Sequence, residues 1–191
     1  THNVKNTDMV IDIDDEDSQR LLRLFNTPEG RTYLKEELHL SDELLEQLTW
    51  LGISGIANVL CCIKMAKYYE LTERDVVGTV LTDSAVMYGS RIQELNELHG
   101  AYTVREAAMD HAIHMLGLKT DSMMELTYRD RKRIHNLKYY TWVEQQGKTA
   151  EELDALWYDT EGTWDAVHAQ AKDLDELIDA FNGETGVLKT L

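Results

Sequence analysis

Proline, cysteine and phenylalanine are scarce in this chain: one, two and two residues in 191. A single proline, Pro28, leaves no proline-rich linker, and there is neither a low-complexity tract nor an internal repeat. The two cysteines, Cys61 and Cys62, are neighbours in an apolar helical run, where successive side chains point about 100° apart. They read as two buried thiols in a reducing compartment rather than as a disulfide. No apolar run approaches the ~20 residues of a membrane span, and the charged N-terminus lacks the apolar core of a signal peptide. A cytoplasmic protein without a membrane partner is expected. Positive charge is also short: 19 Lys and Arg against 35 Asp and Glu give a formal −16. That field repels phosphate backbones and argues against nucleic acid as a partner.

What is present is enough for a core. The hydrophobic fraction is 43%, with four Trp and nine Tyr, in a length that fits one ordinary domain or a piece of a larger one. The chain opens without Met and runs at once into "MVIDIDDEDS", which reads as a segment continuing from upstream sequence. Val10, Ile11 and Ile13 form a short strand, and Asp14 or Asp15 caps a helix through Phe25. Helices then start at Thr27-Pro28-Glu29 and Ser41-Asp42-Glu43. Another runs from about Ser54 to Tyr69, burying Ile56, Val59, Leu60 and Ile63. Val76 to Leu81, "VVGTVL", is apolar and β-branched and reads as a buried strand. "TDS" leads into a helix from about Ser84 to Leu98. This alternation predicts the α/β class, with residues 1–98 as the end of a layered core that continues elsewhere.

Residues 99–191 read as an all-helical extension. Thr103-x-x-Glu106 and Thr149-x-x-Glu152 are capping boxes, a long helix spans about Thr127 to Gln146, and Gly147 ends it. A last amphipathic helix, about Trp164 to Phe181, carries Val167, Ala171, Leu174, Leu177, Ile178 and Phe181 on one stripe. Asp110, His111 and His114 lie within a turn of one another, but no third ligand of fitting spacing accompanies the histidines, so they read as a satisfied pair and no metal is expected. Arg129, Arg131, Lys132 and Arg133 make the one basic cluster, beside His135. It suits a solvated face, an acidic partner surface or a ligand carboxylate. Tyr139, Tyr140 and Trp142 read as packing.

Three segments carry a resemblance. "MVIDIDDEDSQRLLRLF", "LGISGIANVLCCIKMAKYY" and "DVVGTVLTDSAVMY" resemble, in order and rough spacing, the end of the catalytic core of the cysteine synthase family, the fold-type II enzymes that use pyridoxal phosphate. The tail "DRKRIHNLKYYTWVEQQGKT" resembles the C-terminal extension of a less characterised branch of the same family. The resemblance implies that the turn Gly52, Ile53, Ser54, Gly55 lines the substrate side of a cofactor pocket. It also implies that Ser84, in Thr82-Asp83-Ser84, holds the pyridine nitrogen of pyridoxal phosphate. A hydroxyl there does not force the ring to be protonated, which suits β-elimination and β-replacement on a small amino acid. Gly55-Ile56 stands where the family has Ser-Gly, so the substrate is expected to differ.

The cofactor-bearing lysine, its asparagine loop and the glycine-rich phosphate cradle lie upstream of these segments in the family, and none is in this chain. Lys64 and Lys67 sit on a helix and read as solvated or snorkelling. No catalytic residue is therefore assigned. One expectation is part of a pyridoxal phosphate-dependent lyase or synthase, homodimeric as in the family, completed by the upstream remainder or a partner subunit and partly unfolded without it. The other is a non-catalytic acidic helical module that binds a protein.

Overall fold

The computed structural model describes residues 2–187 and is 68% helical. Its helices are α1 Asp15–Asn26, α2 Pro28–Glu36, α3 Asp42–Leu48, α4 Ile53–Tyr68 and α5 Gly89–His99. They continue with α6 Val104–His111, α7 Tyr128–Lys138, α8 Ala150–Tyr158, α9 Ala166–Ala169 and α10 Ala171–Thr185. Short 3-10 turns occur at Val4–Asn6 and Ala85–Tyr88, and π-helical turns at Ala112–Leu116, Tyr139–Val143 and Glu161–Asp165. The strands β1 Met9–Ile11 and β2 Met123–Glu125 pair as a two-stranded antiparallel sheet.

This corrects the α/β expectation. A strand does form around Val10 and Ile11, but its partner is Met123–Glu125, in the half of the chain expected to be purely helical. Val76–Leu81 is irregular, and Val76 is 96%, Val80 70% and Leu81 51% exposed. The reason is physical: apolar β-branched residues favour an extended backbone, but a strand needs a neighbour for its amides and carbonyls. Among the described residues this segment has none, and a single side chain, Asn58 Nδ2, donates to the Val80 carbonyl at 2.8 Å. The fold is mostly helical, and it does not form the layered core of a fold-type II enzyme.

The helix starts follow the chain's own chemistry. Asp14 accepts from the Glu16 amide at 2.9 Å to open α1. Thr27 ends α1 and caps α2, accepting from the Gly30 amide at 3.2 Å with Pro28 at the first helical position. Thr127 with Asp130, and Thr149 with Glu152, form reciprocal caps at α7 and α8. Each such cap contributes about 1 kcal/mol.

Two compact units result. The first is Ile11–Met124. Its core is built on α1, where residues 21–25 are all buried, with Leu34 of α2, Leu45 of α3, and Ile56 and Leu60 of α4 packed against it. Burying each of these aliphatic side chains favours the fold by roughly 1.5–3 kcal/mol, an upper estimate against a compact unfolded chain. The second unit is Thr1–Val10 with Glu125–Leu191. There Val4, Leu126, His135, Leu153 and Trp157 are buried, and His135 Nε2 lies 3.0 Å from the Leu153 carbonyl, joining α7 to α8.

Among the described residues no single helix is long and apolar enough to cross a membrane. The α3–α4 pair reaches that length only jointly, is bent by 110°, and spends Leu45, Ile56 and Leu60 on the core.

Candidate functional site

The turn before α4 and the segment before Ala85–Tyr88 come together although some 30 residues separate them. The Gly52 amide donates to the Asp83 carbonyl at 2.8 Å, and the Ala85 amide to the Thr49 carbonyl at 3.1 Å. Gly52 is bare because the other segment lies on it. A Cβ there would meet Asp83 Oδ1 at 2.3 Å and Tyr88 Cε2 at 2.8 Å. The Tyr88 hydroxyl donates to the Asp83 carboxylate, holding it below the usual carboxylate range and pushing the phenol up. Gly55 is buried, but a Cβ there would meet Leu51 and Leu81 at ordinary contact distance, 3.5 and 3.8 Å.

The residues assigned to a ligand wall thus split into two kinds. Gly52 serves close packing of the two segments. Ile53 is half-buried and Ser54 exposed, in the first turn of a 16-residue helix whose leading amides have no intrahelical partner. Ser84 is half-buried in extended backbone, directly before the Ala85–Tyr88 turn, and its hydroxyl makes no capping bond. A serine serving only as a helix cap would use that hydroxyl, and this one does not.

Two features are harder to read from sequence. Lys64 is not solvated: it is 3% exposed, and its Nζ donates to the Asp12 carbonyl at 2.9 Å and lies 3.7 Å from Asp121 Oδ1. It lines a cavity of about 670 Å³ with Asp12, Asp14, Asp15, Asp17 and Asp121. Lys67 donates to the carbonyls of Leu116 and Leu118 at 3.1 and 2.7 Å. Both amines are committed to backbone carbonyls. Cys61 and Cys62 are free and half-buried rather than fully buried, and burial pushes the Cys61 thiol up.

The second feature is a polar network inside the same unit. Arg23 is fully buried, its Nη2 donating to Asn96 Oδ1 and the Gly100 carbonyl at 2.8 Å, with its guanidinium 4.6 Å from the Tyr102 ring. The Tyr102 hydroxyl donates to buried Asp110 at 2.7 Å, and burial with that neighbouring carboxylate pushes the phenol far above its usual range. Asp17 meets His114 Nδ1 at 2.7 Å, and Tyr33 meets His111 Nδ1 at 3.0 Å. Asp110, His111 and His114 are therefore engaged with protein partners, and burial lowers the His111 pKa. Among the described residues no group of three His, Cys, Asp or Glu is arranged for a metal ion. The sequence signal for Arg23 was its place inside "RLLRLF", a cation within a run that buries on every side.

In the second unit the basic cluster and its aromatics form a groove. Arg129, Lys132 and Arg133 of α7 line a concavity of about 680 Å³ with Tyr128, Tyr140 and Leu153. Lys132 lies over the rings of Trp157 and Tyr158 at 5.0 and 4.6 Å. Arg131 is not part of the groove: it donates to the Thr7 carbonyl and pairs with Asp8. Compared with protein-family models, curated proteins and solved structures, the chain matches none.

Proposed function

We propose that this chain supplies part of the amino-acid site of a pyridoxal phosphate-dependent lyase or synthase, acting by β-elimination or β-replacement. The observation that carries the reading is the meeting of the Gly52–Gly55 turn with Thr82-Asp83-Ser84. The cysteine-synthase-like resemblance puts these two segments around one ligand. Ser84 brings to that meeting point a hydroxyl that packing leaves unused, and Ser54, exposed on the first turn of α4, offers a second.

The fit to the cofactor is partial and specific. Ser84 would hold the ring nitrogen, and a neutral hydroxyl leaves that nitrogen unprotonated. Ser54 and the leading amides of α4 would receive the substrate carboxylate, since a helix N-terminus carries about half a positive charge. The cofactor, when bound, supplies the electron sink on which β-elimination draws. Lys64 and Lys67 are tied to carbonyls, so the lysine that carries the cofactor comes from a partner subunit or another part of the protein. The exposed apolar segment Val76–Leu81 supports this, because it is surface that an assembly would cover.

The test is the visible absorption of the protein purified from its source with whatever copurifies. Bound cofactor gives a visible band that Ser84→Ala weakens through about 0.5–1.5 kcal/mol of lost hydrogen bonding. A colourless protein that leaves the spectrum of added pyridoxal phosphate unchanged overturns the reading. A second reading, an acidic helical protein-binding module, is favoured by the exposed stripe of α10. It predicts no cofactor band and full folding of the isolated chain.

A further inference from the structure

The unit formed by Thr1–Val10 and Glu125–Leu191 carries two surfaces of opposite chemistry. One is the groove on α7. Its rim residues Tyr128, Leu137 and Tyr140 are each more than half exposed. Arg133 has only a long pair with Asp130 at 3.9 Å, and Arg129 has no ion pair among the described residues. The other surface is α10. Leu174, Leu177, Ile178 and Phe181 share one face at helical spacing, and each is more than half exposed. Acids dominate the rest of that helix. With ~100° per residue, Asp175 and Glu184 flank the stripe on opposite sides, and Lys172 is the single cation.

Four large apolar side chains on one exposed face mark an interaction surface, and the two surfaces match in kind. The helix offers an apolar ridge edged by carboxylates. The groove offers aromatic walls edged by the guanidinium groups of Arg129 and Arg133, and the carboxylate in its lining, Asp154, is offset by Lys132 at 3.9 Å. Within one copy both stand open. Two α10 helices packed on each other would set carboxylate against carboxylate, whereas α10 against the groove sets carboxylate against arginine.

We infer that α10 of one copy seats its apolar stripe in the α7 groove of a second copy, with Asp175 and Glu184 meeting Arg129 and Arg133. The occupant of the groove is thus the same chain, and the contact is between unlike surfaces. This goes beyond the proposed enzyme role and holds whether or not a cofactor binds.

Sedimentation velocity over a concentration series tests it, at moderate ionic strength, where the Debye length of about 8 Å mutes the chain-wide repulsion of a −16 protein and spares contact pairs. The parent chain self-associates. Arg129→Glu with Arg133→Glu weakens association by about tenfold or more, as does Asp175→Lys with Glu184→Lys. An equimolar mixture of the two variants associates again, because each now complements the other. All four positions are on the surface, and circular dichroism confirms that both variants keep the parent's helix content. A parent that stays monomeric throughout the series overturns the inference. So does association that Ile178→Asp abolishes but the arginine reversals leave intact, since that marks α10 pairing with α10.

Discussion

Gly30→Ala should destabilise the protein, although helix propensity argues the opposite. Gly30 is the third residue of α2, where alanine would ordinarily gain about 1 kcal/mol. In this structure, however, a Cβ at Gly30 falls 2.0 Å from the Leu24 carbonyl oxygen and 2.8 Å from its carbon. A carbon–oxygen contact needs roughly 3.3 Å, so the corner between α1 and α2 must open by more than about 1 Å. The obstacle is backbone and cannot change rotamer. Both sides of the corner are fixed, since Thr27 caps α2 while closing α1, and Leu24 and Leu34 are buried in the core. Overpacking of this kind costs about 1–3 kcal/mol and more when backbone is the obstacle, which outweighs the propensity gain and leaves a net loss of about 2 kcal/mol. For a chain of this size the midpoint of thermal unfolding should fall by roughly 4–8 °C. Gly183→Ala is the control. It lies inside α10 with nothing within 4 Å of its Cβ position, so alanine there should stabilise the helix by about 0.5–1 kcal/mol. Urea unfolding followed by circular dichroism reads both. A Gly30→Ala chain as stable as the parent refutes the packing of α1 on α2 described above.

Three further outcomes follow from other parts of the structure. Tyr102→Phe removes the hydroxyl that satisfies buried Asp110 and should cost about 1–3 kcal/mol, seen as a lower urea midpoint at unchanged slope. Burial lowers the folded-state pKa of both His111 and His135 below the unfolded value near 6.5. Their contribution to stability is complete above that value and is lost as pH falls through the window beneath it. Urea midpoints at pH 7 and 5 with imidazole titrations by NMR check the sign, and histidines that titrate above the unfolded value refute it. Gly52→Ala should separate the α4 turn from Asp83 and Tyr88, whereas Gly55→Ala should be tolerated. Quenching of tyrosine fluorescence, or the NMR shift of the Tyr88 ring, distinguishes the two.

Helix starts were legible because a cap is a local device. Asp14, Thr27, Ser41, Thr103, Thr127 and Thr149 each accept a hydrogen bond from an amide two or three residues on, and no distant residue is needed to make that choice. Strands were only half legible: the short one at Val10 and Ile11 was read from its composition, but pairing is a property of two segments and was not. Val76–Leu81 has the composition of a strand and no partner among the described residues, while Met123–Glu125 has little strand character but lies beside Met9–Ile11. Long helices were overextended for a related reason. The run from Thr127 toward Gln146 changes to a π-helical turn at Tyr139–Val143, and the last helix breaks between α9 and α10 at Gln170, with apolar spacing continuing across both. Lys64 was the most misleading charge, since long cationic side chains ordinarily reach water, and Arg23 departs from the same habit. Here tertiary partners take them instead: the Asp12 carbonyl for Lys64, and Asn96, the Gly100 carbonyl and the Tyr102 ring for Arg23.

The same contrast separates what the opening turn does for the fold from what it offers a ligand. A glycine at residue 52 is fully accounted for by the side chains of Asp83 and Tyr88 lying over it, so its presence carries no separate message about a small molecule. The serines differ. Ser54 faces solvent on the first turn of α4, and Ser84 sits half-buried beside the segment that Gly52 admits, with a hydroxyl that caps nothing. Neither hydroxyl is needed to hold the two segments together, because the Gly52 and Ala85 amides already do so through the carbonyls of Asp83 and Thr49. Packing thus uses the glycine and the backbone and leaves both hydroxyls free. Ser54 and Ser84 both reach solvent, so water can satisfy their hydroxyls, and the two serines stand available to a ligand without requiring one.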